Sequence, residues 1–216
     1  MSSGSRINLP NIITLARIAV CPLLFFIAIG DTQGERYGAF VLFVAAAFSD
    51  VWDGYLARKH GLITDLGKLL DPLADKLLLV VTFVPFYMIS NRPGAENQIP
   101  FWGAMPMWVL VVIFGRELFI TLFRTWAQRR GVVIAAGKSG KTKALFQNVF
   151  IGALLFWYPL YRTAGASTSA EAGWWGPASL AVGALVAGTL AIALVLTVYS
   201  MIDYLWSYRS LVGVRD

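Results

Sequence analysis

Six apolar runs, each long enough to cross about 30 Å of hydrocarbon as a helix, take up most of this chain, at about residues 12–30, 38–57, 66–89, 105–126, 144–161 and 178–205. A chain with 57% apolar residues, a mean hydropathy of +0.65 and only 14% charged residues is outside the range of soluble domains. The fold class predicted is an all-α integral membrane protein with six transmembrane helices. No repeat and no long linker divides the sequence, so residues 1–216 read as a single domain.

Lys and Arg fall unevenly outside the six runs. Arg36, Arg92 and Arg162 belong to connections on one side. Arg58, Lys59, Lys68, Arg129, Arg130, Lys138, Lys141 and Lys143, with Arg6, Arg209 and Arg215 at the two ends, belong to the other. The positive-inside rule then places both termini in the cytoplasm. The net charge of +6 is accounted for by this asymmetry and by anionic lipid headgroups, so no nucleic-acid partner is inferred. The first run is long enough to span and lacks a small-residue cleavage site, so it is expected to stay as the first helix. The single cysteine, Cys21, excludes an intrachain disulfide and a thiolate metal cluster within one chain.

Carboxylates are expensive in hydrocarbon, yet Asp50, Asp53, Asp71 and Asp75 all sit in the second and third runs. Asp50 lies eight residues before Arg58 and Asp75 eight residues after Gly67, which puts each roughly 12 Å from the cytoplasmic end of its helix. Asp50 and Asp53 are spaced i, i+3 and Asp71 and Asp75 i, i+4, so each pair shares a helix face. A short connection makes the two helices antiparallel neighbours, and all four carboxylates are expected to converge. Four like charges repel unless protons or hard divalent cations hold them. Oxygen ligands alone favour Mg²⁺ or Mn²⁺ over Zn²⁺, and two ions are the economical solution. Asp65 reads as a surface or helix-capping residue, and His60, the sole histidine, as a surface residue. The string G-K-S-G-K-T is not a phosphate-binding loop: that motif needs glycine where Ala135 stands, and no strand precedes it.

Taken together, D-x-x-D-G-x-x-A-R, eight residues, then G-x-x-x-D-x-x-x-D, running from Asp50 to Asp75, resembles the signature of the CDP-alcohol phosphatidyltransferases. The resemblance implies six helices, a homodimer, two divalent ions and a pocket facing the cytoplasm from the cell (inner) membrane. It implies attack of an alcohol on the lipid-linked phosphorus of CDP-diacylglycerol, with CMP expelled. Asp50, Asp53 and Asp71 are then metal ligands, and Asp75 both touches metal and serves as general base. Gly54, Arg58 and Thr64 line the nucleotide pocket, where a side chain at Gly54 would take the nucleotide's space, and Asn11 and Thr14 add contacts.

Segments 8–17 (N-L-P-N-I-I-T-L-A-R), 115–124 (G-R-E-L-F-I-T-L-F-R) and 137–143 (G-K-S-G-K-T-K, read as a loop) resemble the branch of the family whose acceptor is glycerol 3-phosphate. An anionic acceptor also follows from an excess of cations on the carboxylate side, with Arg116, Arg124, Lys138 and Lys141 the candidates for its phosphate. Glu117 beside Arg116 reads equally well as half of a structural ion pair. The alternative inside the family is a sister enzyme using inositol phosphate, serine or another alcohol. Outside it, a divalent-cation transporter needs acidic groups continuing across the bilayer, whereas Asp31, Glu35, Glu96 and Glu171 fall in far-side loops.

Overall fold

A computed structural model describes residues 8–132, 138–166 and 175–209. Six helices follow one another: α1 (Leu9–Ala28), α2 (Gln33–Lys59), α3 (Asp65–Ser90), α4 (Met107–Arg129), α5 (Lys138–Ala166) and α6 (Trp175–Ser207). A single 3-10 turn, Ala95–Asn97, lies between α3 and α4, and no strand occurs among the described residues. Five of the helices are long and apolar enough to cross a membrane. The fourth, α4, has 23 residues but carries Arg116, Glu117 and Arg124 along its length.

Local chemistry sets the helix ends. Thr32 caps α2 through a capping box: its hydroxyl accepts from the Glu35 amide, and the Glu35 carboxylate accepts from the Thr32 amide in return. The helix therefore begins at Gln33, five residues ahead of the apolar run. Likewise α5 starts at Lys138, so the segment read as a loop over residues 137–143 is, from Lys138 onward, the first two turns of a helix. Apolarity marks where a helix enters hydrocarbon; hydrogen bonding begins earlier, wherever nothing breaks it. Through Pro72 and Pro85, α3 remains one assigned helix.

Helices α5 and α6 pack against each other, α1 lies against both α2 and α3, and α2 meets α5. Lipid tails are as apolar as leucine, so close van der Waals fit holds such helices together. Ala39 and Ala74, both fully buried, give α2 and α3 flat faces for it. The centre is aromatic: Phe150 of α5 sits with its ring 5.5 Å from Phe83 and 5.8 Å from Phe86 of α3. Outward faces carry Phe26, Phe48, Val51, Leu69, Leu122 and Val195, the surface expected against acyl chains. At the end remote from the aspartates, buried Arg36 donates to Asn97 Oδ1 (2.9 Å) and lies over the Tyr158 ring, joining α2, α5 and the turn before α4.

Candidate active site

The α2–α3 connection is fastened to the start of α1. Asn8, the N-cap of α1, accepts from the Asn11 amide (3.1 Å), and its side-chain amide donates to the Leu62 carbonyl (2.6 Å). Thr64, the N-cap of α3, accepts from the Gly67 amide (3.1 Å) and from Asn11 Nδ2 (2.9 Å). Caps of both helices are thus shared between them. A Cβ at Gly67 would stand 2.9 Å from Asn11 Oδ1, so a larger residue would push the Asn11 side chain out of the shared cap. Below this seam opens a cavity of about 300 Å³ lined by Asn11, Thr14, Asp53, Gly54, Arg58, Thr64 and Asp71, among others. All five residues expected to bind the nucleotide lie on its wall. The nearest neighbour of a Cβ at Gly54 would be Arg58 Nη1 at 3.3 Å, the movable end of a long side chain.

The four aspartates are assembled by two side chains of α1. Thr14, 1% exposed, places its hydroxyl 3.1 Å from Asp53 Oδ2 and 3.2 Å from Asp71 Oδ1, so it bridges α2 and α3 with one proton shared between alternatives. One turn further on, Arg17 pairs with Asp50 through Nη1 and with Asp53 through Nη2, and Nη1 lies 3.9 Å from Asp75. Its Nε points to Ser49 Oγ at 3.4 Å. Asp71 is reached through Thr14, and the other three carboxylates gather about Arg17, which was not among the sequence candidates. The signal for it was a lone charge: Arg17 is the only charged residue between Arg6 and Asp31.

The carboxylates differ in access. Side-chain exposure rises from 6% at Asp53 to 45% at Asp50 and 64% at Asp75. Among the described residues, no three His, Cys, Asp or Glu side chains surround one point closely enough to hold a metal ion. The Arg17 guanidinium stands between those of α2 and α3. The donor chemistry nevertheless fits hard divalent cations: four carboxylates face one arginine, a formal surplus of three negative charges.

Beside this array lies a second charged group, on α4 and α5. Arg116 Nη1 donates to Glu117 Oε1 at 3.0 Å, and Lys143, 3% exposed, pairs with the same carboxylate. Glu117 is thus the ion-pair partner that the sequence left open, tying α4 to α5. Arg116 and Arg124 each bury an Nε that has no hydrogen-bond partner among the described residues, and the Arg124 guanidinium rests 5.8 Å over the Tyr204 ring. Lys141 is exposed, and the side chain of Lys138 lies outside the described residues. The lysine facing the charge cluster is Lys143, which the sequence marked only as a membrane-surface cation. His60 is exposed, as read, and Asp65 is the exposed first residue of α3, paired with Lys68 at 2.9 Å while Thr64 supplies the cap.

A probable phosphatidylglycerophosphate synthase of Mycobacterium tuberculosis strain H37Rv is 35% identical over 213 residues, covering 97% of this chain and 86% of the relative. A CDP-diacylglycerol--glycerol-3-phosphate 3-phosphatidyltransferase of Bacillus subtilis is 36% identical over 161 residues, covering 68% of this chain and 76% of its own length. A chloroplastic/mitochondrial counterpart of Arabidopsis thaliana is 32% identical over 207 residues, 92% of this chain and 62% of the relative. The profile of the CDP-alcohol phosphatidyltransferases matches residues 7–208, nearly the whole chain and the entire aspartate array with it; the protein belongs to the CDP-alcohol phosphatidyltransferase family.

Proposed function

We propose that this chain transfers the phosphatidyl group of CDP-diacylglycerol to glycerol 3-phosphate, giving phosphatidylglycerophosphate and CMP. The observation that carries the reading is the cavity at the α1–α2–α3 junction, where all five nucleotide candidates meet two of the four signature aspartates. The names of the relatives supply the acceptor.

Asp50, Asp53, Asp71 and Asp75 are the residues to hold two divalent ions, Mg²⁺ or Mn²⁺, which when bound supply neutralisation of the diphosphate and of the departing CMP. The cavity wall of Asn11, Thr14, Gly54, Arg58 and Thr64 seats the cytidine and its phosphate, with Arg58 free to swing because Gly54 leaves room. Asp75, 64% exposed at its side chain, takes the proton from the acceptor hydroxyl as the hydroxyl oxygen bonds to the lipid-linked phosphorus. The bond from that phosphorus to the CMP oxygen breaks, and CMP leaves with the electron pair. Arg116 and Arg124, each with a buried Nε that has no hydrogen-bond partner among the described residues, hold the acceptor phosphate, together with Lys138 and Lys141 at the start of α5. Orientation in the cell (inner) membrane with the cavity toward the cytoplasm follows from the Lys and Arg asymmetry, and a homodimer from the family.

The test is CMP release by purified protein given CDP-diacylglycerol and a panel of alcohols. Glycerol 3-phosphate is expected to be strongly preferred over glycerol, serine and inositol phosphate. Activity is expected to vanish with EDTA and return with Mg²⁺ or Mn²⁺. Arg116→Ala is expected to raise KM for glycerol 3-phosphate far more than KM for CDP-diacylglycerol. Preference for serine would remove the anionic-acceptor argument, and preference for inositol phosphate would move the chain to a sister enzyme.

A further inference from the structure

Arg17 stands among the aspartates of α2 and α3, beside Asp50, Asp53 and Asp75. It is 3% exposed, sits on a third helix, and serves Asp50 and Asp53 with separate nitrogens while lying 3.9 Å from Asp75. Among the described residues no other Lys or Arg forms an ion pair with these carboxylates. The fork of a guanidinium permits this double service; the single ammonium of a lysine does not offer it in the same geometry. Charge counting then sets two states against each other. Without metal, four carboxylates within one membrane site face strong mutual repulsion, which one buried cation relieves in part. With two divalent ions the added charge of +4 already matches the carboxylates, and Arg17 becomes a surplus cation beside them. The guanidinium and the ions are alternative cationic partners for the same carboxylates, Arg17 already taking Asp50 Oδ1 and Asp53 Oδ2.

We propose that Arg17 is a built-in counter-cation: it keeps the carboxylate site assembled in the metal-free protein and competes with divalent ions for Asp50 and Asp53, thereby setting how tightly they bind. Arg17 is a positioning residue in this role. The inference rests on the two-metal reading above, and Mn²⁺ binding separates the two. The full chain, purified and stripped with EDTA, is titrated with Mn²⁺ while free ion is followed by electron paramagnetic resonance, and thermal unfolding is recorded with EDTA and with Mn²⁺. Arg17→Gln is expected to bind Mn²⁺ at least tenfold more tightly than the wild type, to unfold at lower temperature in EDTA, and to recover most of that loss when Mn²⁺ is present. Arg17→Lys, which keeps the charge but loses the fork, is expected to fall between the two. It carries the comparison if Arg17→Gln does not fold without metal. Equal or weaker Mn²⁺ binding by the variant that folds overturns the competition. Absence of Mn²⁺ binding by the wild type overturns the metal reading itself.

Discussion

Asp53 and Asp75 present the same group under opposite conditions, and the contrast decides what each can do. Asp53 is 6% exposed, and Arg17 and Thr14 together hold its Oδ2. Asp75 is 64% exposed, and its listener across α1 is 3.9 Å away, which leaves an oxygen available to an incoming hydroxyl. Asp75→Asn keeps the size and removes the proton acceptor. Turnover is expected to fall by at least the ~10²-fold typical of a lost general base, with CDP-diacylglycerol affinity largely kept. Asp53→Asn is expected to lose turnover and to destabilise the fold as well. Removing one member of a buried ion pair costs about 3 kcal/mol at the low end, the end that applies because Asp50 still faces Arg17. Single-turnover CMP release, equilibrium binding of the nucleotide lipid and thermal unfolding separate the two variants. Parallel loss of binding and turnover in Asp75→Asn would make Asp75 a metal ligand alone.

At the scale of elements, the site depends on how closely α1 approaches the α2–α3 connection, and two glycines of the signature have different tasks there. Gly67→Ala drives a methyl group to 2.9 Å from Asn11 Oδ1, at the shared cap of α1 and α3. Overpacking of this kind costs about 1–3 kcal/mol, so a lower unfolding temperature in detergent is expected. Gly54→Ala meets only the mobile end of Arg58, so stability is expected to hold while KM for CDP-diacylglycerol rises. Equal loss of stability in both would mean that Gly54 is a packing residue. Much of this junction was legible beforehand. Six apolar runs gave six helices, and the i, i+3 and i, i+4 spacings gave the shared faces. What the spacing could not reveal was the partner on another helix: Arg17 and Thr14 are 33 to 58 residues from the carboxylates they join. Lys143 was misplaced in importance for a related reason, because a charge beside a presumed loop reads as solvated until the loop proves to be a helix packed on Glu117.

The whole molecule has two unlike ends, and the proposed orientation in the bilayer can be examined through how each handles its cations. At the end remote from the aspartates, Arg92 pairs with Asp31 at 2.7 Å and donates to the Ile29 carbonyl, Arg162 donates to the Asp31 carbonyl, and Arg36 is buried against Asn97 and Tyr158. These arginines bind chain rather than lipid. At the aspartate end, Arg58 and Lys59 are exposed beside the connection. The electrostatic asymmetry felt by anionic headgroups is therefore steeper than the bare count of Lys and Arg, and it favours placing the aspartate end in the cytoplasm. Single-cysteine variants on a Cys21→Ala background test this directly, with His60→Cys for the aspartate end and Gln98→Cys for the other, both positions being exposed. A membrane-impermeant maleimide is expected to label His60→Cys only in inside-out vesicles and Gln98→Cys only in intact spheroplasts. The reverse pattern would put the cavity on the outer face, away from any cytoplasmic supply of CDP-diacylglycerol and glycerol 3-phosphate, and would overturn the proposed reaction along with the orientation.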